Sequence, residues 1–152
     1  MTIDVGSPAD LADAIGRTAT SDWVLIDQQR ITAFADATED RQWIHLDAGR
    51  AASGPFGTTI AHGYLTLSLL PRLTAGLIAV ERVEMVVNYG LDRVRFLQPV
   101  PAGSRVRAVT EIAGVEPSPH GHRVKLHTTV ELEGSERPAL VAHTIGLFVP
   151  EA

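Results

Sequence analysis

Cysteine is absent from all 152 residues, which excludes disulfide scaffolds, thiolate zinc sites, iron–sulfur clusters and cysteine nucleophiles together. Positive charge is scarce: 13 Lys and Arg stand against 18 Asp and Glu, a net charge of −5. A general nucleic-acid or anionic-membrane binder needs the opposite sign, so neither is expected as a partner. The first six residues, Met1 to Gly6, contain neither a basic n-region nor an apolar h-region. No signal peptide is read there, and the cytoplasm is the default location. No apolar run reaches the roughly 20 residues of a membrane span; Ile60 to Leu70 contains His62 and ends at Pro71 and Arg72. HExxH and GxGxxG are missing too, so no metal and no organic cofactor are expected.

What is present is a chain of one-domain size, 45% hydrophobic and 20% charged, with 13 Gly and 9 Pro, enough for one core. It reads as a single domain over residues 1–152. The main unit runs from about Asp22 to Val149, and residues 1–21 form an N-terminal arm or weak helix. Trp23 to Ile26 is a short apolar run, followed by Asp27 as an N-cap and by Ile31, Phe34, Ala35 and Thr38 at helical spacing. From Glu39 to Thr59 the periodicity fails while Gly, Pro, Ser and Asp accumulate, which predicts a long irregular segment with one helical turn after Asp47.

Ile60 to Leu70, IAHGYLTLSLL, spreads apolar residues around the whole helical wheel, the pattern of a helix buried on every side. Pro71 should kink or end it. Five β-type segments follow: Val83 to Tyr89, Arg93 to Leu97, Arg105 to Val115, His122 to Glu133 and Leu140 to Val149, with a turn at Gly134-Ser135. One all-apolar helix followed by an antiparallel meander is satisfied when the sheet curls around the helix, an α+β hotdog fold.

Chemistry concentrates in the irregular segment. Asp40 and His45 share one loop, and Ala61-His62-Gly63-Tyr64 opens the buried helix, so an acid/base pair stands beside unpaired backbone N–H donors. An Asp five residues before a His is weak evidence alone. The wider pattern is FADATEDRQWIHLD from Phe34 to Asp47, followed by GPFGTTIAHGYL from Gly54 to Leu65. It resembles the MaoC-like type 2 enoyl-CoA hydratases, whose loop motif is typically S-x-D-x-N-P-[hydrophobic]-H-x-D. Gln42 stands where that family usually has Asn and Trp43 where it has Pro, a variant similar to its nodulation-protein-N-like branch. A serine of the family's central helix falls on Pro71, with Ser68 nearby.

The resemblance implies the hotdog fold, with Asp40 and His45 as the catalytic pair and the backbone N–H of Gly63 as oxyanion donor. It implies reversible hydration of trans-2-enoyl-CoA to (3R)-hydroxyacyl-CoA, a lyase reaction of fatty acid metabolism. Hydration builds negative charge on the thioester oxygen, and a helix start offers a fixed donor for it. A carboxylate and an imidazole on one side can hold the attacking water. Gln42, Trp43, Phe56 and Tyr64 are candidates for the substrate-binding wall, although core packing would account for the aromatic ones. His62 reads foremost as a residue satisfying a loop carbonyl. Arg93 and Arg95, like Arg105 and Arg107, alternate along strands, so each pair shares a face where CoA phosphates could be met.

The expected partner is an acyl-CoA or acyl-carrier thioester. A homodimer is also expected, because a sheet curled around one helix leaves an open edge strand. Two other readings compete. A hotdog acyl-CoA thioesterase would aim water at the carbonyl, and a non-catalytic acyl-thioester-binding accessory subunit would keep the fold without turnover.

Overall fold

A computed structural model describes all of residues 1–152. Strands β1 (Ile3–Val5), β2 (Thr18–Thr20) and β3 (Val24–Ile26) precede the helices α1 (Gln28–Thr38), α2 (Trp43–Leu46), α3 (Ala48–Ala52), α4 (Gly63–Ser68) and α5 (Leu70–Thr74). Then come β4 (Ile78–Val80) and four long strands, β5 (Val83–Phe96), β6 (Ser104–Ser118), β7 (Gly121–Leu132) and β8 (Leu140–Pro150). The main sheet has the order β2-β6-β7-β8-β5, with β3 also on β6, and every pairing in it is antiparallel.

Alternation along the strands decides which face meets the helices. On β7, Val124, Thr128 and Val130 are buried with their β6 partners Ala108 and Thr110, while Lys125 and His127 point outward. The buried hydroxyls of Thr110 and Thr128 satisfy each other at 2.8 Å; losing either would strand its partner at a cost of about 1–3 kcal/mol. Against this face pack Leu65 of α4, Leu69 at the junction, and Leu70 and Leu73 of α5, in one cluster with Ile26, Ile31, Val106 and Leu140. Truncating Leu73 or Leu140, at 1% and 0% exposure, would cost about 2–5 kcal/mol. At the β6–β7 turn Gly121 has φ 147°, and a Cβ there would collide with the Phe148 carbonyl, so only glycine closes that hairpin.

Several elements differ from the sequence expectation. The central helix starts at Gly63 and is interrupted at Leu69, because Pro71, in the first turn of α5, has no N–H to continue the ladder. It is not buried on every side: Tyr64 is 69% exposed, and Ser68 and Pro71 face outward with it. One sheet wraps only one side of the helix. The two segments split by Gly90 to Asp92 are one strand, β5, because shifts of register between Asn88 and Gly90 and between Leu91 and Arg93 absorb the irregular residues as bulges. The irregular segment holds two helical turns, α2 as well as the expected α3. Residues before Asp22 supply β1, which pairs in parallel with β4, a 3-10 helix at Pro8–Ala14, and β2. Their Ile3, Leu11, Ala14 and Ala19 build a second apolar cluster with Leu77, Ile112, Val124 and Phe148. No helix is long and apolar enough to cross a membrane.

Candidate active site

Asp27 caps α1 by accepting from the Arg30 N–H at 2.9 Å, and the helix ends at Glu39, whose left-handed backbone (φ 62°) turns the chain. That turn carries the Asp40 carbonyl to His62, which donates from Nε2 at 2.9 Å. A carbonyl can only accept, so Nε2 of His62 carries a proton. The single turn α2 points His45 inward, 6% exposed. Its Nδ1 donates to the Ile60 carbonyl at 2.7 Å, which leaves Nε2 with the lone pair. The two imidazoles stack with centroids 3.7 Å apart and planes 23° apart, and Phe34 packs on His62 at 4.9 Å.

One carboxylate oxygen of Asp40 and one ring nitrogen each from His45 and His62 lie within 4.8 Å of one another. Three such donors could meet a divalent ion, each imidazole donating its other N–H to a backbone carbonyl as metal-bound rings do. The same carboxylate and imidazole could also pass a proton to and from a water held between them. Burial holds His45 below the ordinary imidazole value, and His62 lowers it further, while the Ile60 carbonyl and the Asp40 carboxylate pull the other way. A neutral ring with a bare Nε2 is a competent base.

Gln28 fixes the loop from behind. Its Nε2 donates to the His45 carbonyl at 2.8 Å, and its Oε1 accepts from Thr59 Oγ1 at 2.6 Å. No sequence signal marks it, because 17 residues separate it from His45 and 31 from Thr59.

Beside His45 opens a cavity of about 430 Å³, walled by Ile44, Phe56, Ile60, Gly63, Thr66 and Phe96 among others. The first backbone bonds of α4 run from Leu65 and Thr66 to the His62 carbonyl, at 3.1 and 3.2 Å, so the Gly63 N–H has no acceptor within the helix. A Cβ on Gly63 would lie 3.1 Å from the Phe96 ring. The glycine therefore lets Phe96 close over the helix start.

Of the residues singled out in the sequence, Asp40, His45, Gly63 and Phe56 come together here. The others stand apart from the cavity wall. Gln42 is exposed at the start of α2, with no side-chain cap bond. Trp43 packs on α3, under the Arg50 guanidinium at 4.1 Å. Tyr64 faces outward, edge-on to Phe96 at 6.1 Å. Arg93 and Arg95 are exposed on β5, Arg93 opposite His143. Arg107 is engaged with Glu131 at 2.6 Å and lies over Trp23. Ser68 donates to the Tyr64 carbonyl at 2.6 Å and lines, with Pro71, a larger groove of about 800 Å³ away from His45.

A helix packed against an antiparallel sheet, with a carboxylate and an imidazole beside its start, is the architecture of the hotdog-fold class. A family model described as "MaoC like domain" matches residues 10–134, and the chain belongs to that family. It is 54% identical over 145 residues to 3-hydroxyacyl-thioester dehydratase Z of Mycobacterium tuberculosis, covering 94% of this chain and 96% of that protein. It is 46% identical over 146 residues to nodulation protein N of Rhizobium leguminosarum bv. viciae, covering 93% and 91%, which places it with the nodulation-protein-N-like branch. Among solved structures, an R-hydratase of Pseudomonas aeruginosa superposes with a TM-score of 0.73 at 26% identity, over 91% of this chain and 83% of that one.

Proposed function

We propose that the protein hydrates trans-2-enoyl thioesters reversibly to (3R)-3-hydroxyacyl thioesters, carried by CoA or by an acyl carrier protein. The observation that carries this reading is the meeting of Asp40, the bare Nε2 of His45 and the free N–H of Gly63 at the cavity that His45 and Gly63 line. The acyl chain enters the mostly apolar cavity with its thioester oxygen on the Gly63 N–H. A water held between the Asp40 carboxylate and His45 Nε2 gives up a proton to this pair as its oxygen bonds to Cβ. The π electrons move onto the thioester oxygen, where the fixed donor stabilises the enolate. Collapse of the enolate takes a proton from the pair onto Cα, so water is added and the pair is restored. Metal is not required, since the thioester is already activated.

The relative named 3-hydroxyacyl-thioester dehydratase Z supports this reaction class, and the P. aeruginosa R-hydratase supports the stereochemistry. We further propose that the active form is a homodimer in which β5 meets β5 of a second copy. β5 is the sheet edge, and its Met85, Val86, Val87, Tyr89 and Leu91 are 44–56% exposed; an uncovered apolar edge of this kind invites pairing. The test is product stereochemistry: crotonyl-CoA should give (3R)-hydroxybutyryl-CoA on chiral analysis. A (3S) product, or no hydration at any chain length, contradicts the reading.

A further inference from the structure

Five Ser or Thr residues lie within the helices α1, α4 and α5, and one of them, Thr32, accepts from the Gln28 amide at 3.3 Å. Three others spend the hydroxyl on the carbonyl four residues back: Thr38 on Phe34, Ser68 on Tyr64 and Thr74 on Leu70, at 2.6–2.8 Å. Thr66 is the exception. It is only 4% exposed, lies in the middle of α4 and lines the cavity beside His45, yet its hydroxyl makes no hydrogen bond within the chain. Buried hydroxyls are nearly always paired. This one is also absent from the sealed unpaired atoms, which are confined to His62, His122 and Arg123, so its oxygen opens into the cavity. Besides His45, the one other wall residue with a polar side-chain group is Gln98, and that amide is engaged with Ser135 and the Arg137 carbonyl.

Helical side chains lean toward the helix N-terminus. Thr66 stands three residues after Gly63, so its hydroxyl lies over the turn that Gly63 opens. On the functional reading above, the thioester oxygen sits at that turn. We propose that Thr66 is a substrate-binding residue whose Oγ–H donates to the thioester oxygen, a second donor beside the Gly63 N–H that strengthens as the oxygen takes on enolate charge. The step is unchanged in balance: the hydroxyl keeps its proton and supplies only a hydrogen bond.

Two substitutions separate this role from packing. Thr66→Val keeps the volume and removes the hydroxyl; Thr66→Ser keeps the hydroxyl and removes a methyl. Hydration of crotonyl-CoA should fall about tenfold in kcat for Thr66→Val with KM little changed, the pattern of an interaction gained in the transition state. Thr66→Ser should stay within about threefold of wild type. A packing role gives the reverse order, because the valine fills the site and the serine leaves a hole. Wild-type turnover with Thr66→Val as active as Thr66→Ser, or more so, overturns the Thr66 assignment alone. Failure of the wild type to hydrate any enoyl-CoA overturns the functional reading and this assignment with it. Circular dichroism of both variants checks that the fold is retained.

Discussion

His45 and His62 stack face to face at 3.7 Å while each donates a ring N–H to a different backbone carbonyl, His45 to Ile60 and His62 to Asp40. The two bonds fix both ring orientations and tie the loop on either side of α2 to the segment that opens α4. On the proposed reading this preorganises the pair: His45 keeps its Nε2 bare, and the Asp40 backbone holds its carboxylate within 4.8 Å of a ring nitrogen of His45.

The pair should be separable from the fold. Asp40 is exposed, and the structural bond of His45 leaves from Nδ1. Asp40→Asn and His45→Gln should each lower kcat by about 10² or more, the scale of losing a positioned acid or base, with circular dichroism unchanged. Near wild-type hydration by either variant removes that residue from the mechanism.

Because burial lowers the His45 pKa, the neutral base persists to lower pH than for a solvated histidine. Activity is lost as pH falls through the His45 value, so the acid limb of kcat/KM should have its midpoint below the ordinary 6.5. A midpoint at or above 6.5, measured with crotonyl-CoA across pH 4.5–8 in steps of about half a unit, contradicts a buried neutral His45 as the base.

Gly63→Val should impair turnover and stability together. The first side-chain carbon meets the Phe96 ring at 3.1 Å, so valine must push Phe96 or the helix start aside, at about 1–3 kcal/mol for overpacking. The expected result is a lower Tm by calorimetry and a kcat loss larger than that of Gly63→Ala. Unchanged kcat in Gly63→Val denies the amide its role.

The exposed edge predicts association. Light scattering should give a dimer mass for the wild type, and Val86→Arg, which places a charge on the uncovered edge at a residue 52% exposed, should shift it toward monomer. A fully active wild-type monomer at assay concentration contradicts the proposed dimer.

Much of the architecture was legible in the sequence, because it is written in local terms. Asp27 and Asp47 cap helices by accepting from Arg30 and Arg50, as their positions imply, and the alternation of Val124 to Leu132 marks the core face of β7. The merging of β5 was hidden, since a bulge at Gly90 reads in sequence like a turn. The site shows the same division. Asp40 and His45 lie five residues apart and carry a motif, whereas Gln28 holds the loop through contacts that no spacing records, and the place of Thr66 on the cavity wall is visible only in the fold. Trp43 and Tyr64 looked like pocket walls because aromatic residues near a motif carry no mark of direction. The backbone turns them toward Arg50 and toward solvent instead.

The central claim is that water is aimed at Cβ and not at the thioester carbonyl. One assay reads both outcomes: crotonyl-CoA with purified protein, followed in parallel for loss of the conjugated chromophore and for release of free thiol. Hydration by Asp40 and His45 predicts that the chromophore disappears with no thiol released, and that both variants of the pair lose this activity. Thiol released in step with, or in place of, chromophore loss would contradict the account and make the protein a thioesterase.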